Sequence, residues 1–175
     1  LPADVKPEVY DISDDYFKML KKPKYGYGKN MNPCIDCKIL MLRKAKELMK
    51  KYNASFVITG EVLGQRPMTQ NKKAMKLIEE DSSLKGYLLR PLTAKNLDIT
   101  EPEKLGLITR EKLFDIKGRQ RKKQMELAKK LNLLEYIKQP GGGCILTDKG
   151  YSQRLKEFLK YSKKLTREDV YLLTI

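Results

Sequence analysis

Two short apolar runs, Ser55-Phe56-Val57-Ile58-Thr59-Gly60 and Gly86-Tyr87-Leu88-Leu89-Arg90-Pro91-Leu92, set the fold class of this chain. Each is too short for a buried helix and is rich in β-branched or apolar residues. Each is also punctuated by glycine or proline, which is the pattern of a buried strand. Between them, Gln70 to Glu80 carries helical periodicity. Strands joined by a helical crossover pair in parallel, so the arrangement predicts an α/β fold with a parallel sheet. Upstream, Val5 to Ile12 alternates apolar and polar residues and is expected to form a further short strand. A brief helix over Asp14 to Lys22 is expected to stop at Pro23. Tyr25 to Pro33 is a loop of turn formers. A long helix is predicted from about Cys34 to Tyr52, with Ile39, Leu42, Ala45, Met49 and Tyr52 on one stripe.

Past Thr93 the texture changes. Asn96 to Gly106 reads as a loop and Arg110 to Phe114 as a helical turn. Gly118 to Asn132 reads as a strongly basic helix with Met125, Ala128 and Leu131 inward. Gly141-Gly142-Gly143-Cys144 is expected to be a flexible turn, and Tyr151 to Lys164 a last amphipathic helix with Leu155, Phe158 and Leu159 inward. The chain divides into a sheet-bearing part, 1–105, and a small, mainly helical basic region, 106–175, which carries the third cysteine. It opens without Met on what reads as a strand approach and stops within the apolar run Val170-Tyr171-Leu172-Leu173, so both ends are expected to be cut.

Charge narrows the partners. Lys and Arg number 37 against 22 acidic residues, a formal net charge of +15. Such a field concentrates polyanions, RNA or DNA foremost and an anionic membrane surface second. No apolar run approaches the roughly 20 residues that span a bilayer, and the start lacks the pattern of a secretion signal, so a cytoplasmic location is expected. The basic residues concentrate in Lys117-Gly118-Arg119-Gln120-Arg121-Lys122-Lys123 at a helix start. Cations there oppose the helix dipole, which an RNA backbone would relieve. A solvated charged face is the plainer alternative. Tyr25, Tyr27 and Tyr136 are candidates for stacking on bases, or equally for core packing.

There is no histidine, so the commonest general base and metal ligand are missing. The three cysteines, without a sign of secretion, point to reactive or metal-binding thiols rather than a disulfide scaffold. Cys34 and Cys37 form a C-x-x-C pair in Asn32-Pro33-Cys34-Ile35-Asp36-Cys37, at a helix N-terminus that favours the thiolate. A thiolate of that kind carries a persulfide, attacks one or binds a soft metal. Two buried structural cysteines, or half of a zinc site, are the other readings. Cys144 follows three glycines, which let a thiol approach a site built elsewhere. Gly60 and Gly64 allow tight turns after a predicted parallel strand, where α/β sheets bind ligands. Arg66 in that loop and Arg90 on the next strand end are candidate phosphate contacts. An ordinary βα loop and a surface ion pair are the alternatives.

Four blocks then occur in one order: Asn32-Pro33-Cys34-x-x-Cys37, Thr59-Gly60-Glu61-Val62-Leu63-Gly64-Gln65-Arg66-Pro67-Met68, Leu89-Arg90-Pro91-Leu92 and Gly142-Gly143-Cys144-Ile145-Leu146-Thr147-Asp148. Together they resemble a branch of the PP-loop ATP-pyrophosphatases close to the tRNA thiouridine synthases and to the thiamine/thiouridine protein ThiI. The resemblance runs from about Val5 to Phe158. It implies a partial adenine-nucleotide α-hydrolase-like domain over 1–105. It also implies an ATP-dependent tRNA sulfur transferase: ATP with Mg adenylates a uracil carbonyl oxygen, and sulfur then displaces AMP.

On this resemblance Cys34, Cys37 and Cys144 are catalytic, or hold a [4Fe–4S] cluster as its three ligands. Thr59, Gly60, Glu61, Arg66 and Arg90 line the nucleotide. The sulfur donor is a partner protein or sulfide. Lys117, Arg119, Arg121, Lys122 and Lys123 are assigned to RNA on charge alone. The Ser-Gly-Gly-x-Asp-Ser phosphate motif of the family does not occur in the 175 residues and is expected upstream of Leu1. The chain as given is therefore expected not to hydrolyse ATP. Two other functions remain: a non-catalytic RNA-binding module with a structural cysteine metal site, and an iron–sulfur-dependent desulfidase or sulfur carrier.

Overall fold

The computed structural model describes residues 6–137, 143–162 and 164–175. By backbone contacts the chain falls into two compact units, one made of Leu1–Asp36 and Ala128–Ile175, the other of Cys37–Leu127. These limits follow packing and differ from the 1–105 and 106–175 division drawn on sequence.

The unit over Cys37–Leu127 holds the sheet. Strand β1 (Val57–Ile58) runs parallel to β2 (Leu88–Leu89), with Val57 opposite Leu88 and Ile58 opposite Leu89. Helix α3 (Lys72–Asp81) is the crossover between them. Asn71 caps α3 by accepting a hydrogen bond from the Ala74 N–H, and Ala74, Met75 and Ile78 form its buried stripe. Arg43 of helix α2 (Cys34–Lys51) donates from Nε and Nη2 to the Asp81 carbonyl at the far end of α3. Leu89, Ala94 and Leu113 pack together with Phe56 and Ile108. A four-residue helix, α4 (Glu101–Lys104), and α5 (Lys122–Lys130) complete the helical elements that lie wholly or mostly here. The mixed α/β character and the parallel strand–helix–strand unit expected from the two apolar runs are present.

The other unit is helical. Helices α1 (Ser13–Lys21), α6 (Lys149–Tyr161) and α7 (Arg167–Leu172) close on a core of Leu20, Met31, Leu146, Tyr151, Leu155 and Leu165. Tyr16, Phe17, Phe158 and Leu159 pack against it. Asp148 caps α6 through the Tyr151 N–H, and Thr166 with Asp169 forms a capping box on α7. The apolar run at 170–173 is thus the end of a capped helix.

Several expectations need correction. Residues 6–12 form no strand: Val9 is 92% exposed, so the alternating pattern has no surface to bury against. The run at 55–60 is not a fully buried strand. It pairs over only two residues, and Ile58 is 57% exposed, because its outer face has no covering element among the described residues. Of the stripe expected on α2, Ile39 and Leu42 are buried, while Tyr52 falls just past the end of that helix and is half exposed. On α5, Ala128 alone is buried, and Met125 and Leu131 are exposed. The segment 94–106, read as a loop, contains a 3-10 turn (Ala94–Asn96) and α4. Of the glycine triplet, Gly141 and Gly142 lie outside the described residues. Among the described residues no helix is long and apolar enough to cross a membrane.

Leu155 has no solvent exposure and sits at the centre of the helical unit. Leu155→Ala is expected to cost roughly 2–5 kcal/mol of stability in urea denaturation, since transfer and cavity terms add. A loss under ~1 kcal/mol would contradict this core assignment.

Candidate functional site

The cysteine segment is built from its loop upward. Asp36, buried on the first turn of α2, accepts hydrogen bonds from the Lys24 N–H at 2.7 Å and the Tyr25 N–H at 3.0 Å. The loop at 24–33 is thereby fixed against the start of that helix. Asn32 is buried as well, and its side-chain oxygen accepts from the Cys34 thiol at 3.0 Å. Cys34 opens α2 and Cys37 follows three residues later, both half-buried. The helix-terminal C-x-x-C placement expected from sequence is present.

Cys144 reaches this loop by backbone anchoring. The Met31 N–H donates to the Leu146 carbonyl at 3.2 Å, and Asn30 Nδ2 donates to the Thr147 carbonyl at 2.7 Å. A 3-10 turn over Ile145–Thr147 is closed by the Thr147 N–H and hydroxyl, which both donate to the Cys144 carbonyl, at 2.8 and 2.6 Å. Buried Ser152 donates to the Leu146 carbonyl at 2.9 Å. The Tyr151 phenol is raised above its ordinary pKa by burial and then by its electrostatic interaction with Cys144, with Arg154 opposing. Cys144 itself is exposed. None of the three cysteines is in a disulfide.

The cysteines do not form a ready metal site. Among the described residues no three Cys, Asp or Glu side chains are gathered as metal ligands. A [4Fe–4S] cluster usually takes four thiolates, and the three expected here are not gathered as a ligand set. The donor set as folded does not fit the cluster, so no chemistry is derived through it.

In the sheet-bearing unit, the loop after β1 rests on a buried ion-pair network. Glu61 and Arg90 are 4% and 2% exposed. Arg90 Nε donates to Glu61 Oε2 at 3.0 Å, and its Nη1 binds the carboxylate of Glu79 on α3. Lys38 Nζ lies 3.4 Å from Glu61 Oε1, and Thr59 Oγ1 donates to Glu61 Oε2 at 3.2 Å. Glu61 and Arg90 are withdrawn from water, where a lone charge would be costly, and the partly exposed Lys38 and Glu79 complete their neutralisation. Arg90 is thus turned inward. A phosphate reaching it would have to displace Glu61 or Glu79. Arg66 and Gly60 are exposed on the loop surface.

The same loop meets the basic segment. Leu63 pairs with Lys117 in a parallel bridge, and the Gly118 N–H donates to the Leu63 carbonyl at 2.7 Å. Gly64 has φ +80°, a left-handed conformation that favours glycine, where the backbone crosses Gly118. Gln65 Nε2 donates to Gln124 Oε1 on α5 at 2.9 Å. Lys117, Arg119, Arg121, Lys122 and Lys123 are all exposed, with Arg119 and Arg121 preceding α5 rather than lying in it. Lys123 is 3.7 Å from Asp115, an exposed pair of little energetic weight. Sequence reasoning missed Asn30, Asp36, Glu79 and Lys38. Each acts through a long-range contact that no local pattern announces.

The model of the family described as Thiamine biosynthesis protein (ThiI) matches residues 4–104. The chain belongs to that family, a PP-loop family. A curated relative is the tRNA-specific 2-thiouridylase MnmA 2 of Fusobacterium nucleatum, 27% identical over 163 residues. The match covers 87% of this chain and 43% of that protein, so the chain spans less than half the relative's length. No solved structure gives a significant match.

Arg90→Met is expected to cost about 3–5 kcal/mol in urea denaturation, because it leaves the buried Glu61 carboxylate without its partner. Arg66→Ala, on the exposed loop, is expected to change stability by less than ~0.5 kcal/mol. Equal losses in the two variants would contradict the structural role given to Arg90.

Proposed function

We propose that this chain is the sulfur-handling portion of an ATP-dependent tRNA sulfur transferase that thiolates a uridine. The observation that carries the reading is the anchoring of Leu146 and Thr147 on Met31 and Asn30. It holds the Cys144 segment in the same compact unit as Cys34. Membership of the ThiI family and the likeness to a protein named as a tRNA-specific 2-thiouridylase support the substrate class.

The chemistry proceeds in two parts. ATP, with Mg, adenylates a uracil carbonyl oxygen and releases pyrophosphate. In this proposal the phosphates are cradled by a PP-loop that these 175 residues do not contain, and the chain alone therefore releases no pyrophosphate from ATP. Residues 1–105 supply the C-terminal part of an adenine-nucleotide α-hydrolase-like domain. Thr59, Gly60 and Arg66 face the nucleotide, while Glu61 and Arg90 hold that loop from beneath. Residues 106–175 supply the RNA-contacting region.

The sulfur arrives as a persulfide on Cys34 or Cys144, loaded by a donor protein or by sulfide with an oxidant. Its terminal sulfur attacks the activated carbon and AMP leaves with the C–O bond electrons. The nucleotide is then joined to the protein through a disulfide. A second cysteine thiolate attacks the protein-side sulfur of that disulfide, which frees the thiolated uridine. A protein disulfide remains, and an external thiol reductant reopens it. The half-buried Cys34 and the exposed Cys144 suit holding and delivery respectively, with Cys37 one helical turn from Cys34 as the assisting thiol.

Cys34→Ala or Cys144→Ala, in the protein that carries both this chain and the PP-loop, is expected to abolish thiolated product while tRNA affinity stays within about twofold, as for removal of a reacting group. Full activity in either variant overturns the assignment of that cysteine. Separately, tRNA affinity is expected to fall steeply with salt. Neutralising Arg119, Arg121 and Lys122 to Gln is expected to lower the slope of log K against log salt by roughly 2–3, one counterion per lost contact. An unchanged slope would remove the basic segment from the RNA interface.

A further inference from the structure

We infer that a cavity between α1, the Tyr27–Met31 loop and α6 is a binding site for an unpaired nucleotide of the RNA, placed next to the cysteine segment. This inference rests on the tRNA reading above. The cavity has a volume of about 490 Å³ and belongs wholly to the helical unit. That size is in the range of sites that enclose a small molecule, roughly 300–1,000 Å³.

Its lining has one sign of charge. Lys21, Lys149, Lys156 and Lys160 surround it, and no acidic side chain lines it among the described residues. Lys160 is held by Glu157 at 2.6 Å, whereas Lys149 and Lys156 enter no ion pair among the described residues. Three of these lysines lie on one face of α6, together with Ser152 and Gln153. At ~1.5 Å rise per residue, Lys149 and Lys156 stand about 10 Å apart along the helix, and Lys156 and Lys160 about 6 Å. The opposite face of α6 is fixed in the core by Tyr151 and Leu155, so the ridge of cations cannot roll. A solvated helix face would explain lysines on α6 alone. It does not explain why Lys21, from another helix, and an aromatic ring meet them around a concavity.

The ring is Tyr27. It is 40% exposed and its hydroxyl donates to the Leu20 carbonyl at 2.5 Å, which holds the tip of the ring at the cavity wall. Met31 and Leu159 supply apolar lining. An aromatic face with an apolar floor and a cationic rim is the chemistry of a base with its phosphates. Position supplies the last argument. Asn30 and Met31 line this cavity and are also the two residues that bond to Thr147 and Leu146. Cys34 lies three residues beyond Met31, and Cys144 two residues before Leu146. The pocket's own lining is thus continuous in the chain with the Cys34 segment and bonded to the Cys144 segment.

The test uses the whole 175-residue chain and an unmodified tRNA transcript, with affinity followed by fluorescence anisotropy across salt concentrations. Lys149→Gln with Lys156→Gln is expected to weaken binding and to lower the salt slope by about 1.4–1.8, the release expected for two phosphate contacts. Tyr27→Leu is expected to weaken binding about five- to a hundredfold with the slope unchanged, as for loss of one stacked base. Tyr27→Phe, which keeps the ring, is expected to bind as the parent does, and thermal unfolding checks that each variant folds. The inference is overturned if the double variant and Tyr27→Leu both bind tRNA like the parent while the Arg119, Arg121 and Lys122 substitutions reduce it. It is also overturned if the double variant loses only free uridine monophosphate binding and leaves tRNA unaffected. A parent chain that binds no tRNA at any salt concentration sinks the tRNA reading itself, and this inference with it.

Discussion

The pair of hydrogen bonds from Met31 and Asn30 to Leu146 and Thr147 is the constraint on which the functional geometry depends. It joins positions 117 residues apart in the case of Asn30 and Thr147. Neither bond is strong on its own, about 1 kcal/mol net each. Their effect comes from where they sit. Met31 and Leu146 are both buried in the core of the helical unit, so the backbone contact is backed by side-chain packing. Ser152 then satisfies the Leu146 carbonyl from the α6 side. Asp36 and Asn32 stiffen the other half of the arrangement by fixing the loop and the first thiol. The cysteines gain defined positions from this scaffold rather than from each other.

The sheet-bearing unit solves a different problem with a different device. Its loop from Thr59 to Gln70 has an exposed outer surface, yet its base contains the buried Glu61. The charge is tolerated because Arg90, Lys38 and Thr59 surround it, and because Glu79 takes the second arm of Arg90. A network of that kind adds little stability over an apolar core of the same shape. What it provides is a fixed loop: the backbone is held from below by charge, and from the side by the Leu63–Lys117 and Gln65–Gln124 contacts. The loop and the basic segment at 117–123 are therefore one surface in this unit.

How much of this was legible in the sequence depended on the range of the interaction. The parallel strand–helix–strand unit followed from two apolar runs and a helical period, and the start of α2 from the end of a run of turn formers and the apolar stripe that follows. The helix-terminal cysteine pair was equally local. The strand expected over Val5 to Ile12 failed over its described residues, 6–12, because alternation predicts a strand only where a neighbour covers one face, and Val9 has none among the described residues. Met125 and Leu131 failed for the same reason on a helix. Arg90 was visible as a charged residue at a strand end, but nothing local tells a phosphate ligand from a buried counter-ion. That distinction is made by Glu79, eleven residues away on another element. The lysine ridge of α6 was hidden as an ordinary amphipathic face, since its meaning comes from Lys21 and Tyr27, more than a hundred residues earlier.

The claim at the centre of this account is that Cys34 and Cys144 carry sulfur. The direct measurement is peptide mapping by mass spectrometry after the chain is incubated with a cysteine desulfurase and free cysteine, then alkylated without reductant. An added sulfur atom is expected on the peptide containing Cys34 or on the one containing Cys144, released when a thiol reductant is added. Alkylated thiols on both peptides with no added sulfur, under conditions where the desulfurase loads a known acceptor, would contradict it.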